Sequence, residues 1–168
     1  MSGANTALNG VLLDTSFVIR LLKTNDPLHA NAKVWFRQLL DRRVPMYLST
    51  ISIAEYCVKG SFDELPLRNV RVLPFNIDHA RRAGPFTGSL LQQRKQPGAD
   101  DDRTVVINDV KLLAQAEVIP GISHFLTKDQ RFVQRMQALR AGGHVLRTMV
   151  LDLNIPMADA LGMLDFPK

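Results

Sequence analysis

The chain of 168 residues is long enough to bury a core, and residues 1–168 are expected to form a single domain. Its net charge of +5 and sequence pI near 9.7 permit a polyanionic partner such as nucleic acid. The single cysteine, Cys57, excludes an internal disulfide and favours a reducing compartment. There is no signal-peptide pattern and no apolar run of ~18 residues, which predicts a cytoplasmic protein without a membrane partner.

The first half of the chain alternates short apolar runs with helical patterns. Residues 1–10 are small and polar and are expected to be frayed. Strands are predicted at 11–13, 46–49 and 70–75, and helices at 17–22, from Pro27 to 41 and at 51–60. The second helix has a clear apolar stripe, formed by Ala32, Trp35, Phe36, Leu39 and Leu40.

The second half continues the alternation. Helices are predicted at 79–83 and 86–94, separated by an interruption at Gly84 and Pro85, and then at 103–117 and from 130 to 139. Strands are predicted at 124–127 and 145–151, and residues 95–102 read as an exposed loop. In the tail, residues 152–168, we expect Leu161 and Leu164 to pack back onto the domain. This order predicts a three-layer α/β sandwich whose central, mainly parallel sheet has about five strands.

The stretch Val11-Leu12-Leu13-Asp14-Thr15-Ser16 carries the first functional signal. A buried strand ends at Asp14, and ligands of open α/β sheets bind outside the carboxyl ends of the strands. The structural alternative is that Asp14 or Thr15 only caps the following helix. On this stretch alone the two interpretations stand level.

Three more carboxylates occupy comparable positions. Glu55 lies in the apparent apolar stripe of Ile51, Ala54 and Val58, where a carboxylate is costly unless it is paired or coordinates something. A salt-bridged Glu55 at the edge of the stripe is the alternative. Asp109 begins the apolar face of its helix, and Asp129 follows the fourth strand.

The carboxyl ends of parallel strands meet at one sheet edge, so Asp14, Glu55 and Asp129 should converge, with Asp109 within reach. Carboxylates packed together repel one another unless a cation is bound. Oxygen ligands of this kind select Mg²⁺ or Mn²⁺, and such clusters serve phosphodiester cleavage. Thr127, at the end of the fourth strand, could hydrogen-bond a carboxylate or a water in the site.

Other chemistry lacks its signatures. There is no phosphate-binding loop of the G-x-x-x-x-G-K-[ST] type and no G-x-G-x-x-G motif, which disfavours nucleotide binding. The four histidines are dispersed without zinc spacing. A phosphatase that uses an Asp-x-Asp pair is excluded because Ser16 stands two residues after Asp14.

Four segments in this order resemble the PIN-domain family, most closely the single-domain VapC-type ribonuclease toxins of toxin–antitoxin pairs. They are VLLDTSFVIRLL (11–22), STISIAEY (49–56), INDVKLLAQA (107–116) and FLTKDQRF (125–132). Residues 72–83, VLPFNIDHARRA, are also similar to the strand and helix of the family.

The resemblance implies a metal-dependent endoribonuclease with the acids Asp14, Glu55, Asp109 and Asp129 and the accompanying polar residue Thr127. Asp14 and Asp109 would be direct ligands of Mg²⁺ or Mn²⁺, and Glu55 and Asp129 would contact the metal directly or through water. It also implies a homodimer and a cognate antitoxin that occludes the acidic pocket.

The candidate RNA-binding cations are scattered: Arg20, Lys23, Lys59, Arg94, Lys95 and Lys128. Single-stranded or loop RNA is the expected substrate because its bases and phosphates are accessible. The alternative is a non-catalytic RNA-binding or scaffold module with the same fold.

Overall fold

The structure is a computed structural model that describes residues 7–93 and 103–161. Short apolar strands alternate with helices, as the hydrophobic pattern predicts. The strands are β1 (Val11–Leu13), β2 (Met46–Ser49), β3 (Arg71–Leu73), β4 (His124–Thr127) and β5 (Met149–Asp152). The helices are α1 (Thr15–Leu22), α2 (His29–Asp41), α3 (Thr50–Tyr56), α4 (Ile77–Gln93), α5 (Arg103–Val118), α6 (Gln130–Ala141) and α7 (Met157–Ala160), with a 3₁₀ turn at Phe62–Glu64.

The five strands form one parallel sheet in the order β3-β2-β1-β4-β5. The chain runs from β1 outward through β2 to β3, then crosses to β4 on the other side of β1. Strand order therefore reverses between β1 and β4, which is where open α/β sheets place their binding crevice. In the register of the sheet, Leu13 pairs with Leu48 on one side and with Leu126 on the other.

Helices cover both faces of the sheet. Leu12 and Phe125 face one core, completed by residues of α4, α5 and α6. Leu13 and Leu126 face a second core, which includes Trp35 and other residues of α1, α2 and α7. Because both faces are covered, each central strand needs a continuous apolar run, and β1 is wholly buried. The predicted three-layer sandwich with a parallel sheet is confirmed.

Helix α4 is continuous from Ile77 to Gln93, so the predicted interruption at Gly84 and Pro85 is wrong. Pro85 lies on the exposed face of α4, where water can hydrate the carbonyl group that lacks its amide partner. The opposite face buries Ala83, Phe86 and Leu90, and this burial offsets the lost hydrogen bond.

Strand β5 begins at Met149 rather than at the predicted residue 145. The residues before it are engaged by α5 instead. The Arg147 guanidinium donates hydrogen bonds to the carbonyls of Ala116, Ile119 and Ile122. These carbonyls lie at and just after the C-terminal turn of α5, where they lack helical partners.

The chain ends differ from the expectation in one place. Residues 1–6 lie outside the described part, but the amides of Asn9 and Gly10 donate to the Ser123 hydroxyl, so these two residues are held rather than frayed. Leu161 packs against the core of α1 and α2, as expected, and Leu164 lies outside the described residues. Within 7–93 and 103–161, none of the helices combines the length and the apolar composition needed to cross a bilayer.

Two glycines make a matched test of this packing. A Cβ added at Gly10 would lie 2.2 Å from the Gly121 carbonyl oxygen, whereas one added at Gly88 in α4 meets nothing within 4 Å. We expect Gly10→Ala to lower the free energy of unfolding by about 1–3 kcal/mol and Gly88→Ala to raise it by roughly 0.5–1 kcal/mol. Urea unfolding measures both, and equal effects would contradict this account.

Candidate active site

Asp14 lies directly after β1, at the N-cap position of α1. Its side chain makes no capping hydrogen bond. It accepts hydrogen bonds from the hydroxyls of Thr127, at 2.7 Å, and Ser16. The residue is only 8% exposed, and burial raises the pKa of its carboxyl group, while the two hydroxyls act in the opposite direction. The side chain of Asp14 therefore does not cap α1, and the capping alternative is wrong for this residue.

Thr127 connects two of the acids. Its hydroxyl donates to Asp14 and accepts the backbone amide of Asp129 at 2.9 Å. Thr127 is 1% exposed, so its hydroxyl is protected from competing water. The predicted hydrogen bond from Thr127 to a carboxylate is present. Ser16, which sequence reasoning left unassigned, adds a contact by accepting the amide of Lys128 at 3.2 Å.

Glu55 is held by two neutral donors. The Thr15 hydroxyl donates to one of its carboxylate oxygens, and the Asn108 side-chain amide donates to the other at 2.7 Å. The stripe predicted around Glu55 is wrong, since α3 ends at Tyr56 and Ala54 and Val58 are exposed. No salt bridge to Glu55 occurs among the described residues, so its partners are uncharged.

Asp109 occupies the position predicted for it on the buried face of α5, with Leu112, Leu113 and Ala116. Its Oδ2 accepts a hydrogen bond from Nη1 of Arg135 on α6. Burial is the main reason that the pKa of Asp109 is raised to about 7, and the Arg135 charge opposes that rise.

Asp129 is the N-cap residue of α6, and its Oδ1 accepts the amide of Arg131 at 2.9 Å. The structural role of a helix cap is therefore realised here. Capping engages Oδ1, and Oδ2 accepts no hydrogen bond from another described residue, so the cap does not exclude a second role.

The four carboxylates lie within electrostatic range of one another. The negative charges of Asp14, Asp129 and Glu55 each raise the pKa of Asp109, and that of Glu55 also raises the pKa of Asp14. The convergence follows from strand order, because β1 and β4 are neighbours and their carboxyl ends lie at the same edge.

Sequence reasoning missed four residues of this site: Thr15, Ser16, Asn108 and Arg135. Thr15 and Asn108 are ordinary polar neighbours of the acids, and no spacing rule distinguishes them. Arg135 did carry a signal. It stands in the helical stripe of Phe132, Met136 and Leu139, and a charge in an apolar stripe is the same anomaly that identified Glu55 and Asp109.

The donor chemistry of the site fits a hard divalent cation, because every candidate ligand is an oxygen. Among the described residues, no three His, Cys, Asp or Glu side chains stand as an assembled metal-binding cluster. Mg²⁺ is typically bound by one or two carboxylates together with water. Two carboxylates of the site, together with water, are therefore enough to bind a divalent cation of this kind.

A groove of about 580 Å³ adjoins Glu55, one of the four acids. Glu55 and Asn108 line it together with Lys23 and Lys59, and its apolar wall includes Ile19, Leu22, Tyr56 and Val58. Two cations predicted from sequence thus border the site. Arg20 does not, because it pairs with Asp26 at 3.7 Å and donates to the Ser16 carbonyl. Arg94 and Lys95 lie outside the described residues.

A family model described as the PIN domain matches residues 11–136, more than half of the chain. The chain belongs to the PIN-domain family. The family resemblance of the four sequence segments is thereby confirmed. No curated protein sequence matches this PIN domain.

Solved structures share the fold of this PIN domain. VapC20 of Mycobacterium tuberculosis, a sarcin–ricin loop cleaving toxin, is 20% identical over 81% of this chain and 97% of its own, with a TM-score of 0.50. VapBC-1 from nontypeable Haemophilus influenzae is 18% identical over 86% and 98%, with a TM-score of 0.53. VapBC2 from Rickettsia felis, bound to a DNA fragment from their promoter, is 13% identical over 84% and 98%, also with a TM-score of 0.53. At these identities the similarity establishes a common fold.

The raised pKa of Asp109 predicts a pH-dependent stability. Between its ordinary value of 3.8 and about 7, the folded chain keeps a proton on Asp109 that the unfolded chain has released. The free energy of unfolding therefore falls as pH rises through this range, by at most about 1.4 kcal/mol per pH unit. Asp109→Asn removes this dependence. In urea unfolding in EDTA, the free energy of unfolding of the variant relative to that of wild type should increase up to about pH 7 and stay constant above it. A constant difference across that range would contradict the assignment.

Proposed function

We propose that this PIN domain is a divalent-metal-dependent endoribonuclease, acting as the toxin of a type II toxin–antitoxin pair. The observation that carries the proposal is the convergence of Asp14, Glu55, Asp109 and Asp129 at the β1–β4 crevice, beside a groove bordered by lysines. In this proposal Asp14 and Asp109 hold Mg²⁺ or Mn²⁺, while Glu55 and Asp129 contact it directly or through water.

When bound, the divalent cation supplies Lewis-acid polarisation of the phosphate and lowers the pKa of a water. The residues of the chain do the rest. Thr127 and Ser16 hold the Asp14 carboxylate in place, and Thr15 and Asn108 hold that of Glu55. Fixed carboxylates serve catalysis because no side-chain reorganisation is needed as charge develops.

RNA is favoured as the substrate by two observations. Lys23 and Lys59 line the same groove as Glu55, so a phosphate backbone lying in the groove reaches Glu55. One structural neighbour of the same fold is a sarcin–ricin loop cleaving toxin, and a loop in RNA exposes bases and phosphates that a groove can accept.

The partner part of the proposal comprises a cognate antitoxin and a homodimer. Both follow from the sequence resemblance to VapC-type toxins, and the fold shared with VapBC-1 and VapBC2 supports it. An antitoxin segment that covers the acids and the groove would inhibit cleavage by excluding RNA.

The rival function is a non-catalytic RNA-binding or scaffold module. One observation favours it: the four acids, as they stand, do not form an assembled metal-binding cluster within the described residues, and Asp109 pairs with Arg135. Measurements of metal binding and of RNA cleavage together distinguish the nuclease from the non-catalytic module.

The deciding experiment is cleavage of labelled structured RNA by the purified chain in Mg²⁺, Mn²⁺ or EDTA. We expect cleavage that requires the metal and that falls at least about 100-fold in Asp14→Asn and in Asp109→Asn, since metal-assisted charge stabilisation is worth several kcal/mol. Asp41→Asn removes an exposed carboxylate at the end of α2 and serves as the control that should keep full activity.

Three results would count against the proposal. Equal cleavage by all variants would indicate a contaminating nuclease. Cleavage that persists in EDTA would exclude the metal requirement. No cleavage together with no divalent binding by calorimetry would favour the scaffold function.

The groove makes a separate prediction about RNA affinity. The variant with both Lys23→Gln and Lys59→Gln should bind single-stranded RNA more weakly in EDTA. The slope of log affinity against log salt should become shallower by about 1.4, because each lost phosphate contact removes about 0.7 for single strands. Lys33→Gln, which removes an exposed lysine of α2, is the matched control. Equal slopes for the two proteins would place the RNA elsewhere.

A further inference from the structure

Arg135 is the charged residue that the proposed chemistry does not explain. It lies on the buried face of α6 with Phe132, Met136 and Leu139, and it is only 8% exposed. These four positions have the spacing i, i+3, i+4 and i+7, which is that of a helix face packed on a core. A guanidinium at such a position is costly unless its charge is compensated.

Among the described residues, a carboxylate of the acidic site compensates this charge. Nη1 of Arg135 donates to Oδ2 of Asp109, which links α6 to α5. The pair lies over an apolar floor that includes Leu113 and Leu139, around a void of only about 10 Å³. Because the void is so small, the contact restricts how the Asp109 carboxylate can turn.

The two oxygens of Asp109 differ in their surroundings. Oδ2 is engaged by Arg135, whereas Oδ1 accepts no hydrogen bond from any residue in the described part of the chain. By contrast, both oxygens of Glu55 have donors. Asp109 is thus anchored by one oxygen and leaves the other for a ligand.

We propose that Arg135 is a positioning residue for the metal site: by holding Oδ2 of Asp109, it presents Oδ1 to the divalent cation. This inference rests on the proposed function, because it assigns Asp109 as a metal ligand. Partners that orient a ligating carboxylate typically contribute 10–100-fold to metal affinity or activity. Arg135 would make that contribution without touching substrate or metal.

Two other roles for the same contact make different predictions. If the pair only ties α6 to α5, its loss lowers stability and leaves metal affinity unchanged. If Arg135 instead competes with the cation for Asp109, its removal makes the metal bind more tightly. Positioning alone predicts weaker binding.

The test is Mn²⁺ affinity, measured by calorimetry on the full chain after EDTA treatment, for Arg135→Met and Arg135→Lys. We expect Arg135→Met to raise the Kd by about 10–100-fold. The Kd of Arg135→Lys should lie between those of wild type and Arg135→Met, because an ammonium group restores the charge but not the planar guanidinium. Urea unfolding is measured alongside for each protein.

Two control variants separate an effect on stability from an effect on metal affinity. Leu139→Val loosens the same face of α6 and the same small void, and it should lower stability while leaving the Kd at the wild-type value. Arg37→Met removes an exposed arginine of α2 and should change neither quantity.

An unchanged or lower Kd in Arg135→Met would overturn the proposal while leaving the nuclease function intact, provided that wild type still binds Mn²⁺ and Asp14→Asn does not. If wild type binds no Mn²⁺, both proposals fall together. If Arg135→Met does not fold by circular dichroism, Arg135→Lys decides, and a wild-type Kd for that variant overturns the inference.

Discussion

The hydrogen bond from Thr127 to the buried carboxylate of Asp14 joins the ends of the two central strands, and the arrangement of the site depends on it. It exists because β4 returns beside β1, at the point where strand order reverses. The same hydroxyl accepts the amide of Asp129, so one side chain sets the position of two acids. If β1 and β4 were not adjacent, the acids that follow them would not lie close together at the same edge of the sheet.

A second constraint is electrostatic. Carboxylates that approach one another inside a protein must be protonated, paired with cations or hydrogen-bonded. This chain uses different solutions for different acids. Asp14 and Glu55 have hydroxyl and amide donors, Asp129 caps a helix, and Asp109 takes the Arg135 guanidinium while its pKa is raised to about 7. Asp109 is thus the acid whose charge is opposed by a neighbouring cation, Arg135.

The acids were predictable from local patterns, but their partners were not. Asp14 and Asp129 follow apolar strands, and Asp109 interrupts an apolar helix face, so each is an anomaly in its own segment. Thr15 and Asn108 become partners of Glu55 only because the α1, α3 and α5 segments meet in space. Arg135 was recognisable as an anomaly in its stripe, yet its partner lies on a different helix. Predictions of local elements were wrong where tertiary contacts outweighed intrinsic propensity. At Pro85, for example, the helix continues because its other face is buried.

By itself, the sequence determined the α/β architecture and the parallel sheet, and it supplied the four acids that we propose for the site. Those features depend on hydrophobic periodicity and on residue types within single segments. Only the tertiary structure decided which oxygens are engaged, which lysines border the groove, and that Arg135 rather than a neutral donor holds Asp109. These depend on side chains from segments far apart in the chain, such as Asp109 and Arg135, whose contact forms only when α5 and α6 pack on the same face of the sheet.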